Sequence, residues 1–125
     1  MWQKLAWLAL AGALGTLSRF ALTGIMQRLC GEQFPWGTLT VNCLGCFLFG
    51  FVYSMAEERL VISGETRFIV LAGFMGSFTT FSTFAYETSQ QLRDSEWLMA
   101  IGNLAAHNVV GITLLVLGIV IGRWV

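Results

Sequence analysis

Between Leu98 and Ile121 the chain contains no Asp, Glu, Lys or Arg. A helix that crosses the hydrocarbon of a bilayer needs about 20 residues, and this stretch supplies them. Three further stretches are comparably apolar: about Leu5 to Met26, Thr38 to Met55 and Arg67 to Gln91. In lipid, every backbone N–H and C=O must find a partner within the protein, so single apolar segments of this length cross as helices. The reading is an all-α integral membrane protein with four transmembrane helices and one domain, residues 1–125. A fifth span would leave almost no chain for connections.

Composition agrees and removes other classes. Hydrophobic residues make up 56% of the chain, charged residues only 11%, and mean hydropathy is +0.71. Soluble domains carry roughly 25% charge. Seven Lys plus Arg are matched by seven Asp plus Glu. A neutral chain has no basic footprint for nucleic acid, and its hydrophobicity excludes disorder. Most of the charge falls in the connections Gln27–Gly37, Ala56–Thr66 and Leu92–Trp97. Pro35 suits a helix entrance, where its missing N–H costs nothing. Trp2, Trp7, Trp36, Trp97 and Trp124 all fall near span ends, as an interfacial aromatic belt requires. Met1–Met26 reads as a retained span rather than a leader, because no small-residue cleavage site follows a short apolar core.

Four spans place both termini on one side, together with Lys4, Arg59, Arg67 and Arg123. The other side holds Arg28 and Arg93. Four against two is a weak orientation signal under the positive-inside rule. A chain that inserts both ways up can form an antiparallel two-fold homodimer that uses one surface on both subunits.

The residues that carry information are polar ones at membrane depth: Arg19, Asn42, a Ser/Thr cluster with Glu87, and Asn103, His107 and Asn108. An arginine mid-span costs roughly 2.5–3.5 kcal/mol on insertion scales. Four helices enclose little interior, so these groups imply an oligomer whose interface or pore receives them. Arg19 either pairs with a lipid phosphate or makes an aqueous vestibule positive for anions. Gly12, Gly15 and Thr16 before it form a small face that lets another helix approach closely. Thr38 and Asn42 are four apart and share a helix face with Gly45 nearby. The Asn42 amide serves either as interhelical glue or as a donor to an anion. Cys43 and Cys46 form a C-x-x-C pair inside an apolar helix with no second pair to complete a zinc site, so they read as packing residues.

The third span is poor helix material. Gly73-Phe74-Met75-Gly76-Ser77-Phe78-Thr79-Thr80-Phe81-Ser82-Thr83-Phe84 combines two glycines with a run of β-branched and hydroxyl residues. Gly76–Thr80 reads as a break. A break frees carbonyls that suit a cation and N–H groups that suit an anion. Thr79, Thr80 and Ser82 are available to cap the second half. Phe81 and Phe84 share a face, and aromatic ring edges are positive, so two edges can solvate an anion in a dry passage. Phenylalanines at this spacing also pack in cores or face lipid. On the fourth span Asn103, His107 and Gly111 make one polar stripe. No Ser/His/Asp set and no H-E-x-x-H is present, so the chain reads as no enzyme.

Taken together these residues resemble a known family. Gly12-x-x-Gly15-x-x-x-Arg19, Pro35-x-Gly37-Thr38-Leu39-x-Val41-Asn42-x-x-Gly45 and Gly73-Phe74-x-Gly76-x-x-Thr79-Thr80-Phe81-Ser82-Thr83-Phe84-x-x-Glu87 look like the Fluc/CrcB family of fluoride channels. The match covers most of the chain, and the T-T-F-S-T-F element after G-F-x-G is its specific part. The resemblance implies a dual-topology, antiparallel homodimer with two passive, fluoride-selective pores that relieve cytoplasmic fluoride toxicity in a bacterial inner membrane. It implies that Phe81 and Phe84 form an aromatic box, Asn42 coordinates fluoride and Arg19 belongs to the vestibule. Ser82 and Thr83 would continue the polar path, Glu87 lies just past the box, and Asn103 and His107 occupy the stripe on the fourth span. The carbonyls of Gly76 and Thr79 would hold a structural Na⁺ ion between subunits. Ser77 and Phe78 depart from the pattern, which has a glycine and a smaller apolar residue there. The expectation is altered packing at the break with the carbonyls kept.

The competing class is a dual-topology small multidrug exporter of similar size. Such a mechanism needs an acidic residue in the first span, and this one has Arg19 and no Asp or Glu. A purely structural membrane partner would have no use for a broken helix flanked by clustered polar groups.

Overall fold

Four helices long and apolar enough to cross a membrane make up the computed structural model, which describes residues 1–125: Trp2–Cys30, Trp36–Glu57, Gly64–Arg93 and Trp97–Trp124. Each extends beyond its apolar stretch, because polar end turns continue the helix past the hydrocarbon. The first helix stops at Gly31, whose φ of 90° is open to glycine at little cost. Gln27 then staples the connection. Its amide donates to the carbonyls of Gly31 (2.8 Å) and Phe34 (3.2 Å) and accepts from the Gly37 N–H (3.4 Å).

The third helix is interrupted, and more narrowly than the glycines suggest. Gly73 and Gly76 remain helical, whereas Thr79 (φ −88°, ψ 157°) and Thr80 (φ −149°, ψ 107°) are extended. β-branched residues tolerate extended backbone and resist helix, so the break falls on the threonines. The second half restarts at Phe81, capped by the Thr80 hydroxyl, which accepts from the Thr83 N–H at 3.2 Å. Two wide π-helical segments, Ile69–Met75 and Ala106–Val110, sit in the third and fourth helices. Nothing in the residue pattern announced them.

Glycines set the packing. A Cβ at Gly118 would collide with the Phe47 carbonyl, and one at Gly50 with the Leu115 carbonyl, so the second and fourth helices touch backbone to backbone. Gly15 does the same for the first helix against Phe74 and Ser77 of the third. Ser77 turns its hydroxyl back onto the carbonyls of Gly73 (2.8 Å) and Phe74 (3.0 Å). Phe78 is buried and stacks on Phe74, with centroids 5.6 Å apart. Ser77 thus packs toward Gly15 of the first helix, while the Phe78 ring also lies near Gly45 of the second.

Contacts at one end gather both termini. Lys4 lies over the Phe68 ring at 4.7 Å. Arg123 forms a two-pronged pair with Glu58 (2.6 and 2.8 Å), and Arg67 pairs with Glu57. Arg59 donates to the carbonyls of Arg123 (3.2 Å) and Val125 (3.4 Å). Only 20 of the 125 residues are buried, so most apolar surface is left for lipid or another chain.

Candidate functional site

The break is held open by one side chain. Asn42, half-buried on the second helix, accepts from the Thr80 N–H through Oδ1 (2.8 Å) and donates through Nδ2 to the Thr80 carbonyl (3.1 Å). An amide nitrogen has two N–H groups, so one remains for another acceptor. In an unbroken helix the Thr80 N–H would bond the Gly76 carbonyl; here Asn42 takes it, and Gly76 loses that donor. The Thr79 N–H still reaches the Met75 carbonyl at 3.0 Å.

Two concavities lie at the break. The larger, about 670 Å³, is lined by Arg19 and Arg28 of the first helix, Thr38 of the second, and Thr80 and Thr83 of the third. The smaller, about 420 Å³, is lined by Asn42, Phe81, Phe84 and His107, with Gly76 and Thr79 at its edge. Arg28 had been assigned only to a connection; its place beside Arg19 follows from the first helix running on to Cys30.

The two phenylalanines touch edge to face, with centroids 5.6 Å apart and planes at 62°. Their surroundings differ sharply. Phe84 is 7% exposed and Phe81 78% exposed. Phe84 is packed from the other side by His107, centroids 4.1 Å apart. Phe81 stands out from the bundle with no comparable cover.

The hydroxyls form a local net. Thr80 Oγ1 pairs with Thr83 Oγ1 at 2.8 Å and with Ser82 Oγ at 3.3 Å. Thr38 donates to Glu87 Oε1 at 2.6 Å, while Glu87 Oε2 is buried and unpaired. This bond joins the second helix to the third beyond the box. The sequence marks Thr38 by its spacing to Asn42 and by its place in the Pro35–Gly45 motif but not by this bond, because the partner is 49 positions away.

Asn103 lies outside the smaller concavity. It is fully buried, and its Nδ2 donates to Thr88 Oγ1 at 3.0 Å. Thr88 in turn donates to the Phe84 carbonyl at 2.8 Å. The Asn103 backbone carbonyl receives His107 Nδ1 at 3.1 Å. Asn103 therefore braces both Phe84 and His107. Thr88 escaped notice in the sequence among several hydroxyls, although its spacing of four from Phe84 is the signature of this bond.

Such a chain is a small four-helix membrane protein with two concavities at a broken helix. A family model described as CrcB-like protein, Camphor Resistance (CrcB), matches residues 6–119, and the chain belongs to that family. It is 65% identical to a protein of Nitrosococcus oceani named fluoride-specific ion channel FluC, over 98% of each chain. Proteins of the same name from Desulforapulum autotrophicum and Solidesulfovibrio magneticus are 50% and 46% identical, again over 98% of each.

Proposed function

We propose that this chain is a passive fluoride channel that lets cytoplasmic fluoride leave the cell. The observation that carries the reading is the concavity where Asn42, Phe81 and Phe84 meet beside the break, in a chain 65% identical to a protein named for that activity. Fluoride is small and strongly hydrated. A path for it must replace water with donors and leave no strong trap. The free N–H of Asn42 and the positive edges of Phe81 and Phe84 supply such contacts from uncharged side chains. Arg19 and Arg28 sit in the wider concavity, where a positive potential concentrates anions before entry. Ser82 and Thr83 extend the donors, His107 lines the far side of the box, and Glu87 and Asn103 brace it from outside the concavity.

The working unit in this reading is an antiparallel homodimer with two pores, inserted in the bacterial inner membrane. Phe81, a pore residue left largely uncovered by its own chain, supports it. So does the weak four-to-two bias of Lys and Arg between the two membrane faces. A structural Na⁺ at the dimer interface fits the Gly76 and Thr79 carbonyls: Gly76 has lost its helical donor to Asn42, and both residues border the same concavity. The multidrug-exporter alternative is not favoured, because the first helix has no carboxylate to exchange protons.

The test is purified protein in liposomes loaded with fluoride and followed with a fluoride electrode. Ionophore addition should release fluoride rapidly while chloride is retained. Liposomes that keep their fluoride would overturn the reading.

A further inference from the structure

A third concavity lies away from the break, at the membrane end that holds both termini. It encloses about 390 Å³ between the starts of the first and third helices, lined by Gln3, Trp7, Ser63, Glu65, Thr66 and Ile69. Trp7 and Ile69 belong to the apolar spans, whereas Gln3, Ser63, Glu65 and Thr66 lie outside them. The hollow therefore straddles the boundary between hydrocarbon and water, at the depth of lipid headgroups. A tryptophan belongs at this depth, with an apolar ring body and a polar N–H.

Its one charged lining residue is Glu65. Each cationic side chain at this end is committed elsewhere: Arg67 to Glu57, Arg123 to Glu58, Arg59 to the carbonyls of Arg123 and Val125, and Lys4 to the Phe68 ring at 4.7 Å. Glu57 and Glu58 are thereby paired, and Glu65 is the side-chain carboxylate here without a cation. Trp7 is 53% exposed, and the face of a tryptophan attracts a cation. Ser63 donates to Thr66 Oγ1 at 2.9 Å, which fixes that oxygen and leaves it a lone pair. Gln3 adds an amide oxygen. Carboxylate, hydroxyl and amide oxygens accept hydrogen bonds, so together they select a cation that carries N–H groups. A quaternary ammonium has none to give and relies on a cage of aromatic rings. This hollow offers a single ring, so its chemistry suits a primary ammonium.

We propose that this hollow binds the primary ammonium headgroup of a phospholipid of the phosphatidylethanolamine type, with Glu65 as its counter-charge and the Trp7 ring as its aromatic contact. The inference does not rest on the fluoride-channel reading. The experiment titrates the purified protein in detergent with phosphatidylethanolamine, phosphatidylcholine or water-soluble phosphoethanolamine. Binding is read from the thermal midpoint and from the lipid retained in native mass spectra. Phosphatidylethanolamine should raise the midpoint by about 3 °C or more, as a ligand of the folded state does. It should be retained about tenfold better than phosphatidylcholine, the ratio that hydrogen bonds to a charged group supply. Glu65→Gln should melt like wild type without lipid, since Glu65 makes no ion pair within the chain, and should lose the preference between the two lipids. Trp7→Leu should weaken retention of phosphatidylethanolamine. Equal responses of wild type to both lipids, or a preference that survives Glu65→Gln, would overturn the site. An equal shift from phosphoethanolamine at the same concentration would overturn the lipid assignment and leave a site for soluble amines. None of these outcomes alters the fluoride-efflux test.

Discussion

Asn42 holds the Thr80 peptide at both ends, accepting its N–H at 2.8 Å and donating to its carbonyl at 3.1 Å. One side chain thereby replaces part of the hydrogen-bond ladder that the third helix gives up at its break. The same amide lines the smaller concavity, so in the proposed channel one residue would serve both structure and conduction.

Substitution at Asn42 separates the two roles. Asn42→Asp keeps the acceptor for the Thr80 N–H and removes the NH₂ donor. Asn42→Ala removes both bonds and leaves two backbone groups unsatisfied, at about 1–3 kcal/mol each. Fluoride efflux should be lost in both variants. The thermal midpoint in detergent should fall much further for Asn42→Ala, and equal melting would count against the clamp.

The two phenylalanines should respond differently because their burial differs. Phe84→Ala opens a cavity beside His107 and should destabilise by about 3–5 kcal/mol. Phe81→Ile changes an exposed position and should leave the melting of the isolated chain nearly unchanged. Efflux should drop in Phe81→Ile all the same. Normal efflux from a well-folded Phe81→Ile protein would remove its ring from the path.

Thr38→Val deletes the donor to Glu87 and leaves a part-buried carboxylate oxygen without its partner. We expect a loss of about 1–3 kcal/mol and slower efflux. Thr38→Ser restores the hydroxyl and should recover most of both. Melting curves of the three proteins side by side decide it, since rescue by Ser points to the bond and not to the methyl.

The proposed Na⁺ site at the Gly76 and Thr79 carbonyls is tested by exchanging the salt. Replacing Na⁺ with a large organic cation should lower the thermal midpoint of the purified protein and slow efflux. Identical melting in both salts would take Na⁺ out of the Gly76–Thr79 site.

The fourth helix should tolerate no side chain at Gly118, where a Cβ would meet the Phe47 carbonyl. Backbone cannot yield as a side chain can. Gly118→Ala should cost about 1–3 kcal/mol or more by overpacking, visible as reduced yield of folded protein. Gly102, with open space around it, should accept alanine freely and serves as the control.

Much of this was legible in the residues. Apolar stretches of hydrocarbon length located the four helices, and β-branched residues after two glycines located the break. Thr80 as the cap follows from local preference. Long-range partners were not legible. Nothing near Thr38 announces Glu87, and nothing near Asn103 announces Thr88, because helix packing decides which faces meet. The different burial of Phe81 and Phe84 was hidden for the same reason: equal spacing puts two rings on one face without saying which of them the fourth helix covers. The π segments stayed invisible because their cause lies in packing, with no residue preference to mark them.

Those segments divide the molecule in a way the four-helix description conceals. The first two helices are α-helical from end to end, while the third and fourth each carry an insertion's worth of extra chain in wide turns. A π-bulge absorbs a single added residue and rotates everything beyond it relative to the packed face. His107 sits inside one such segment, and the Phe81–Phe84 pair lies beyond the other. Gain or loss of one residue in Ala106–Val110 changes the angle between Asn103, before it, and the Gly118 seam with the second helix, after it. The evolutionary adjustment of such a pore is then free to proceed by indels as well as by substitution.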